Sequence, residues 1–562
     1  EMSASLVGSE MCIRDSNTTD KGTVRLILNN ASISNTTTAP IKVLDAKKVI
    51  LTLADNTTNT ITDSSRLSTE EDYSAAIYSK EDLIINGNGT LNVNAGYRNG
   101  IKSTDDCIIV SGTLNITSTE DGIIGKDLCG IVAGDININA GSDGIKSTYD
   151  TDTTKGNVII EGGNITIKAS NDGIQAENIL VINDGTINIK TNNGAADTTQ
   201  THIDNMDMGR GGFGFNNNKT TTTTDDTSES RKGIKAGNML IINDGDITID
   251  SDDDSVHCNS VIYIYGGTIN AATGDDGVHA DDLLTVNGGT INITQCYEGL
   301  EADDIVINDG DISVVSSDDG INSSDGSITI NGGNLLINAS GDGLDANGSI
   351  IINGGYIVVL GPTSDGDTAI DYDDSCTING GTVMAFGSSG MLEIPKGASN
   401  GACIVTAFTS VSGGSKYTLS DSNGNEILSY TPSKAYAAAI VYSDKITTGN
   451  TYNITAGSTT LSIEVTSDVT SNVSSGFGGA GGMNKPGNGG SGMPNNGSSD
   501  NGMGNGNSNG SMPDMLGNGA PDMNGNSSGD MPSMGGNSSN NGGNMPNMNN
   551  GCLLYTSPSP RD

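Results

Sequence analysis

A carboxylate returns to the same place along this chain at near-regular intervals: Asp121, Asp143, Asp172, Asp254, Asp276, Glu298, Asp319 and Asp342. Most are followed by glycine, and several sit in acidic runs: Asp252-Asp253-Asp254, Asp275-Asp276 and Asp318-Asp319. Like charges stacked one strand spacing apart repel. Hard oxygen ligands crowded on turns are what Ca2+ takes, about six to eight at a time. We therefore expect Ca2+ as the cofactor, held among Asp252, Asp253, Asp254, Asp275, Asp276, Asp318 and Asp319. The plain alternative is that Asp-Gly is a turn pair, the aspartate bonding nearby backbone N–H groups and the glycine accepting positive φ.

Three residues beyond each of these carboxylates runs a second row: Ile124, Lys146, Gln175, Lys235, His257, His279, Glu301, Asn322 and Asp345, with Lys102 leading it. The row is polar and varied, as a ligand-facing surface should be. Its members Lys146, Gln175, Lys235, His257, His279 and Glu301 are the candidate substrate-binding residues. Tyr263 and Tyr265, pointing outward beside Ile262 and Ile264, add rings able to stack on a sugar. The two histidines also open the alternative of a transition-metal site. No catalytic set is assigned. Lys235, with Lys146 second, is the base to consider if the chain is a lyase.

The elements that carry these rows follow from the repeat. The glycines of this repeat, Gly100, Gly122, Gly144, Gly173, Gly233, Gly277, Gly299, Gly320 and Gly343, return about every 22 residues, with Ser255 once in their place. Each unit holds three short runs of period-2 alternation separated by turn residues, as in 278–281, 282–286 and 290–294. Runs this short must pair with the same run in the next unit, about 4.8 Å away. The fold class is therefore all-β: a right-handed parallel β-helix. Ile101, Ile123, Ile145, Ile174, Ile234, Val278, Leu300, Ile321 and Leu344 face its core, as does a row of small residues two places on.

The solenoid is expected over 17–395, with atypical first coils to about residue 72 and a polar insertion at 195–231. A small β module follows at 396–467, with strands at 403–408, 437–442 and 459–465. Residues 468–551 are Gly, Asn, Ser, Met and Pro, too polar to bury a core, and read as disordered. LVGSEMCIRD near the start and CLLYTSPSPRD at the end read as translated sequencing adapter, so 1–16 and 552–562 are set aside as scars and the N-terminus as truncated. No apolar run is long enough to span a membrane. A net charge of -42 argues against a nucleic-acid partner. Cys107, Cys129, Cys258 and Cys376 fall in apolar columns and read as free core thiols.

The runs TVRLILNNASISN, KKVILTLADNTTNTITD and IYSKEDLIINGNGTLNV, the repeated DGI(K/Q)(S/A) units and KYTLSDSNGNEILSYTPSKAY together resemble a bacterial family of secreted carbohydrate-binding β-helix proteins. The resemblance runs from about residue 22 to about residue 467. It implies a right-handed parallel β-helix similar to calcium-dependent pectate lyases, bound calcium, an extracellular or cell-surface location, and binding of cellulose or acidic polysaccharides such as polygalacturonate. A monomer is expected. Three classes stay open: a non-catalytic polysaccharide-binding protein, which is the main reading, a calcium-dependent polysaccharide lyase, and a structural spacer or adhesin.

Overall fold

The computed structural model describes residues 2–7, 16–17, 22–65, 73–195 and 230–473, all within the compact unit Glu1–Met483. The insertion at 195–231, apart from its edges, lies outside the described residues. So do the tail at 468–551 beyond residue 473, the second compact unit Asn484–Asp562, and all but the short strands of the N-terminal scar.

Alternation at period 2 with no helical stretch gives a chain without helix among the described residues, wound into a parallel β-solenoid of about 15 turns. One coil shows the plan. Val256–Cys258 belongs to the first column of strands, Val261–Ile264 to the second and Thr268–Thr273 to the third. Each pairs in parallel with its counterpart one coil on, Val256 with Val278, Ile262 with Leu284 and Ile269 with Ile291. The row from Ile101 to Leu344 stacks in unbroken register and is buried throughout. Each such aliphatic side chain contributes about 1.5–3 kcal/mol by leaving water. Cys107 stacks on Cys129, and the six described cysteines are free and buried.

The glycine of the Asp-Gly pair has a different cause from the one expected. Positive φ belongs to the turn after the second strand, at Gly134, Gly163, Gly185 and Gly245, with φ of 105 to 129°. The glycines that follow the recurring carboxylates have no positive φ; they are needed for close approach. A Cβ on Gly122 would stand 2.5 Å from Gly144 O and 2.6 Å from Ile138 Cγ2. On Gly277 it would stand 2.4 Å from Ile293 Cδ1 and 2.5 Å from Gly299 O. The obstructing isoleucine lies 16 residues on in both cases. At the one serine, Ser255, the residue at that offset is Ala271, so the lost methyls make room for the added side chain.

The C-terminal region forms more than a separate module. Tyr436–Ser443 pairs antiparallel with both Thr382–Gly387 and Ala402–Val411, closing the last edge of the third column. A second core of Val358, Leu360, Met384, Phe386, Tyr417 and Tyr436 forms there. Edges of this kind otherwise recruit other chains. Lys434 Nζ donates to Leu360 O at 3.2 Å and also to Ala339 O, tying this cap to the coils.

The Ser255–Ala271 exchange gives a direct test. Ala271→Ile alone should cost about 1–3 kcal/mol by overpacking. Adding Ser255→Gly should recover that loss, because it restores the pair used in the other coils. Denaturant midpoints of the single and double variants check this; additive effects would refute the coupling.

Candidate metal and ligand edge

The recurring carboxylates do one structural task before any other. All but Glu298, which accepts from Asn322 Nδ2 instead, turn one oxygen onto the backbone of the next coil. Asp143 N donates to Asp121 Oδ1 at 3.1 Å, Asp172 N to Asp143 Oδ1 at 3.0 Å and Lys232 N to Asp172 Oδ1 at 2.8 Å. Beyond the insertion the pattern resumes: Asp276 N to Asp254 Oδ1 and Glu298 N to Asp276 Oδ1, both 3.1 Å. Asp342 N and Thr368 N continue it onto Asp319 and Asp342. The turn reading of these residues is thus realised as a ladder between coils. Hydrogen bonds to ionised acceptors are the strong kind.

The second oxygen of each carboxylate faces the outward row, and its partner changes along the solenoid. Asp143 Oδ2 meets Lys146 Nζ at 2.7 Å. Asp172 Oδ2 lies 4.0 Å from Lys235 Nζ, which also donates to Ser230 Oγ at 3.1 Å. Gln175 donates to Glu177 at 3.4 Å. Because these side chains lean onto the carboxylates, the outward row is half-buried, and Ile124 and His257 are buried.

Three of the expected calcium ligands meet an arginine or a lysine. Asp252, fully buried, pairs through Oδ2 with Arg231 Nη1 at 2.7 Å and Asn192 Nδ2 at 2.9 Å. Lys232 stands where the ladder would place another aspartate. Its Nζ lies 2.9 Å from Asp253 Oδ1 and 2.5 Å from Asp254 Oδ2. Burial opposes the lysine's charge, but the two aspartates outweigh it and hold the ammonium well above its usual range. Asp253, Asp254 and Asp275 do converge, their oxygens within 4.8 Å. Burial and the charge of Asp276 push Asp275 up to about 8.

One coil on, histidines take the place of the lysine. His257 Nδ1 lies 2.9 Å from Asp254 Oδ2. His279 Nδ1 lies 3.4 Å from Asp276 Oδ2 and 3.2 Å from Glu301 Oε2. The rings meet edge to face with centroids 4.9 Å apart. Burial opposes the charge of His279, but Asp276, Asp254 and Glu301 overcome it and push the imidazole up to about 10.

Further along, acids face acids. Asp319, Asp342 and Asp345 bring oxygens within 4.8 Å of one another, and none forms an ion pair among the described residues. Burial and the neighbouring charges push Asp319 up to about 9, and burial pushes Asp342 up to about 8 despite the Thr368 N–H it accepts. Asp345 rises to about 6 through burial and Asp371. A Cβ at Gly341 would stand 2.4 Å from Oδ1 of both Asp318 and Asp319, so glycine leaves that pair its space. Asp342 and Asp345 are absent from the ligands expected from sequence. The signal was their spacing: three residues apart, as carboxylate and outward row are in every coil. This all-oxygen set fits Ca2+ better than the lysine-filled cluster upstream.

Tyr263 and Tyr265 stack at 6.4 Å with 23° between planes, on the second column of strands rather than beside the histidines. Tyr265 lies just past its strand, in a row that from Asn183 to Asn379 is otherwise made of asparagines. Asn243 bonds back to Asn183 at 2.7 Å, and Asn308 to Asn287 at 2.9 Å, but between them the ladder is broken by this exposed ring. The coil carrying Ser255, His257, Tyr265 and Ala271 therefore departs from the repeat at several positions at once. Such local breaks in an otherwise consistent pattern gather at functional sites.

These shifts fix a pH dependence. Asp319 and Asp342 hold their protons to higher pH folded than unfolded, where carboxyls ionise near about 4. Folding then takes up protons, and stability falls as pH climbs through about 8 to 9. His279 acts in the same direction, its contribution being lost as pH rises through about 10. In chelator, the unfolding midpoint should drop between about pH 6 and pH 9. A midpoint that rises across that window would contradict the geometry.

No described helix is long and apolar enough to cross a membrane. A relative from Acetivibrio thermocellus, described as a carbohydrate-binding domain-containing protein, is 39% identical over 95 residues, which is 16% of this chain and 33% of the relative. The chain thus spans about a third of the length of the curated relative it matches. The solved structure titled as the polysaccharide lyase-like protein from C. thermocellum, gadolinium derivative, is 36% identical, covering 30% of this chain and 70% of that one with a TM-score of 0.30. A family profile described as carbohydrate-binding domain-containing protein matches residues 5–277 and 274–397. With most of the solenoid inside that match, the chain belongs to the carbohydrate-binding domain-containing protein family.

Proposed function

We propose that this chain is a non-catalytic, extracellular or cell-surface polysaccharide-binding protein whose binding depends on calcium, with acidic plant-type glycans such as polygalacturonate as the favoured ligand and cellulose as the neutral one. The observation that carries the reading is the set Asp319, Asp342 and Asp345, convergent, half-buried and without an ion pair among the described residues. A chain of net charge -42 repels a polyuronate. An ion held by these oxygens reverses that repulsion, because Ca2+ coordinates protein and sugar carboxylates together. The absence of tryptophan argues against a flat aromatic platform for crystalline cellulose. The stacked Tyr263 and Tyr265 offer a smaller apolar surface for a single ring.

The lyase reading needs a lysine that can lose its proton, with calcium supplying the acidification of the α-proton. Lys146 is a poor base, since burial lowers its pKa but Asp143 raises it further, leaving it above the usual value. Lys235 is engaged by Ser230 and Asp172. The observation that keeps this reading alive is Lys102, which was not among the site residues expected from sequence. Burial lowers its pKa despite Asp121.

Polygalacturonate binding, measured with and without chelator while following the ultraviolet absorbance of unsaturated uronate, separates the two. The expected result is binding that chelation abolishes, no absorbance rise, and about tenfold or greater weakening in Asp319→Asn/Asp345→Asn. An absorbance rise lost in Lys235→Ala or Lys102→Ala would establish the lyase instead. Chelator-insensitive binding would remove calcium from the account.

A further inference from the structure

The histidine pair carries a feature that neither the coil ladder nor glycan binding explains. His257 is nine-tenths buried. Its Nε2 lies 2.9 Å from Asn259 Oδ1, an acceptor, so Nε2 carries the proton. The other ring nitrogen, Nδ1, is buried and makes no hydrogen bond, facing Asp254 Oδ2 at 2.9 Å without the alignment of one. A buried polar atom left without a hydrogen bond calls for a partner, and a cation held between ring and carboxylate would supply it.

The surrounding atoms are the donors that such a cation would use. His279 Nδ1 lies 3.9 Å from Asp254 Oδ2, 3.4 Å from Asp276 Oδ2 and 3.2 Å from Glu301 Oε2. Donor atoms of Asp254, His257 and His279 fall within 4.8 Å of one another, as do those of Asp276, His279 and Glu301. Bonds of about 2.0–2.2 Å in a tetrahedron place donors roughly 3.3–3.6 Å apart, close to these separations. Two imidazole nitrogens with carboxylate oxygens make a borderline set, suited to zinc rather than calcium. Asn259 holds the remote ring N–H, as the outer partners of metal-bound histidines do. Lys232 donates to the same oxygen, Asp254 Oδ2, at 2.5 Å and offsets the excess negative charge, so a bound metal would share that oxygen with the ammonium.

We propose that Asp254, His257 and His279, completed by Glu301 or Asp276, form a binding site for a divalent transition metal of the zinc class, separate from the acidic edge at Asp319. The site does not rest on the glycan reading. It stands on consecutive coils of the first column, whose register sets the two imidazoles one strand spacing apart.

The test uses the full chain, stripped with chelator and returned to excess calcium, then titrated with Zn2+ by calorimetry and with Co2+ by visible absorption. The expected result is one strong Zn2+ per chain and a Co2+ spectrum of low-symmetry N/O coordination. His257→Gln and His279→Gln should each abolish both. Asn259→Ala, which removes no ligand, should weaken Zn2+ about 10- to 100-fold. Circular dichroism of each variant shows whether the β-solenoid is intact. Failure of the wild type to bind Zn2+ in excess calcium would overturn the site. So would binding that survives both histidine substitutions. Polygalacturonate binding, followed in the same samples, fails or persists independently of either result.

Discussion

The hydrogen bond from a coil's backbone N–H to the carboxylate of the coil before it, made at seven of the eight recurring carboxylates, is the interaction on which this molecule depends. It pins the first column in register and continues for coil after coil along one edge. It also fixes the chemistry. With one oxygen committed to the backbone, each aspartate of the ladder turns its other oxygen toward the outward row. A structural device thereby becomes an edge of evenly spaced anionic ligands, which must be neutralised by something.

What neutralises it changes along the axis. Lysines do so in the early coils, at Lys146 and Lys235. Lys232 and Arg231 do so next to the insertion, and the two histidines follow. At Asp319, Asp342 and Asp345 no side chain does so among the described residues. The solenoid is uniform in backbone and graded in charge. Ion binding is therefore expected where the repeat supplies ligands and the outward row supplies no cation.

Much of this was legible in the sequence. A period of about 22 residues, with alternation at period 2, leaves stacked parallel strands as the only way to satisfy the backbone. The buried row from Ile101 to Leu344, the free cysteines and the outward row all fell where the period put them. Other features were hidden for physical reasons. The cause of the Asp-Gly glycine was misread as positive φ, because a contact with a residue 16 positions on, in the third strand of the same coil, leaves no local mark. Lys232 reads as a surface charge until the ladder turns it into the Asp253–Asp254 pair. Asp345 reads as one more polar outward residue until its neighbours prove to be acids. The antiparallel closure by Tyr436–Ser443 joins segments with no shared repeat, so nothing periodic announced it.

The central claim is that one oxygen of each carboxylate builds the fold and the other is left for cations, most openly at Asp319, Asp342 and Asp345. A crystal structure grown with calcium and an oligogalacturonide, with the ions placed by anomalous scattering, tests it most directly. The account places a calcium ion on those three aspartates, with a sugar carboxylate in its coordination sphere and the coil-to-coil hydrogen bonds intact. It would be contradicted by an empty acidic edge with the sugar bound on another face. It would equally be contradicted by calcium that takes the ladder oxygens away from the backbone.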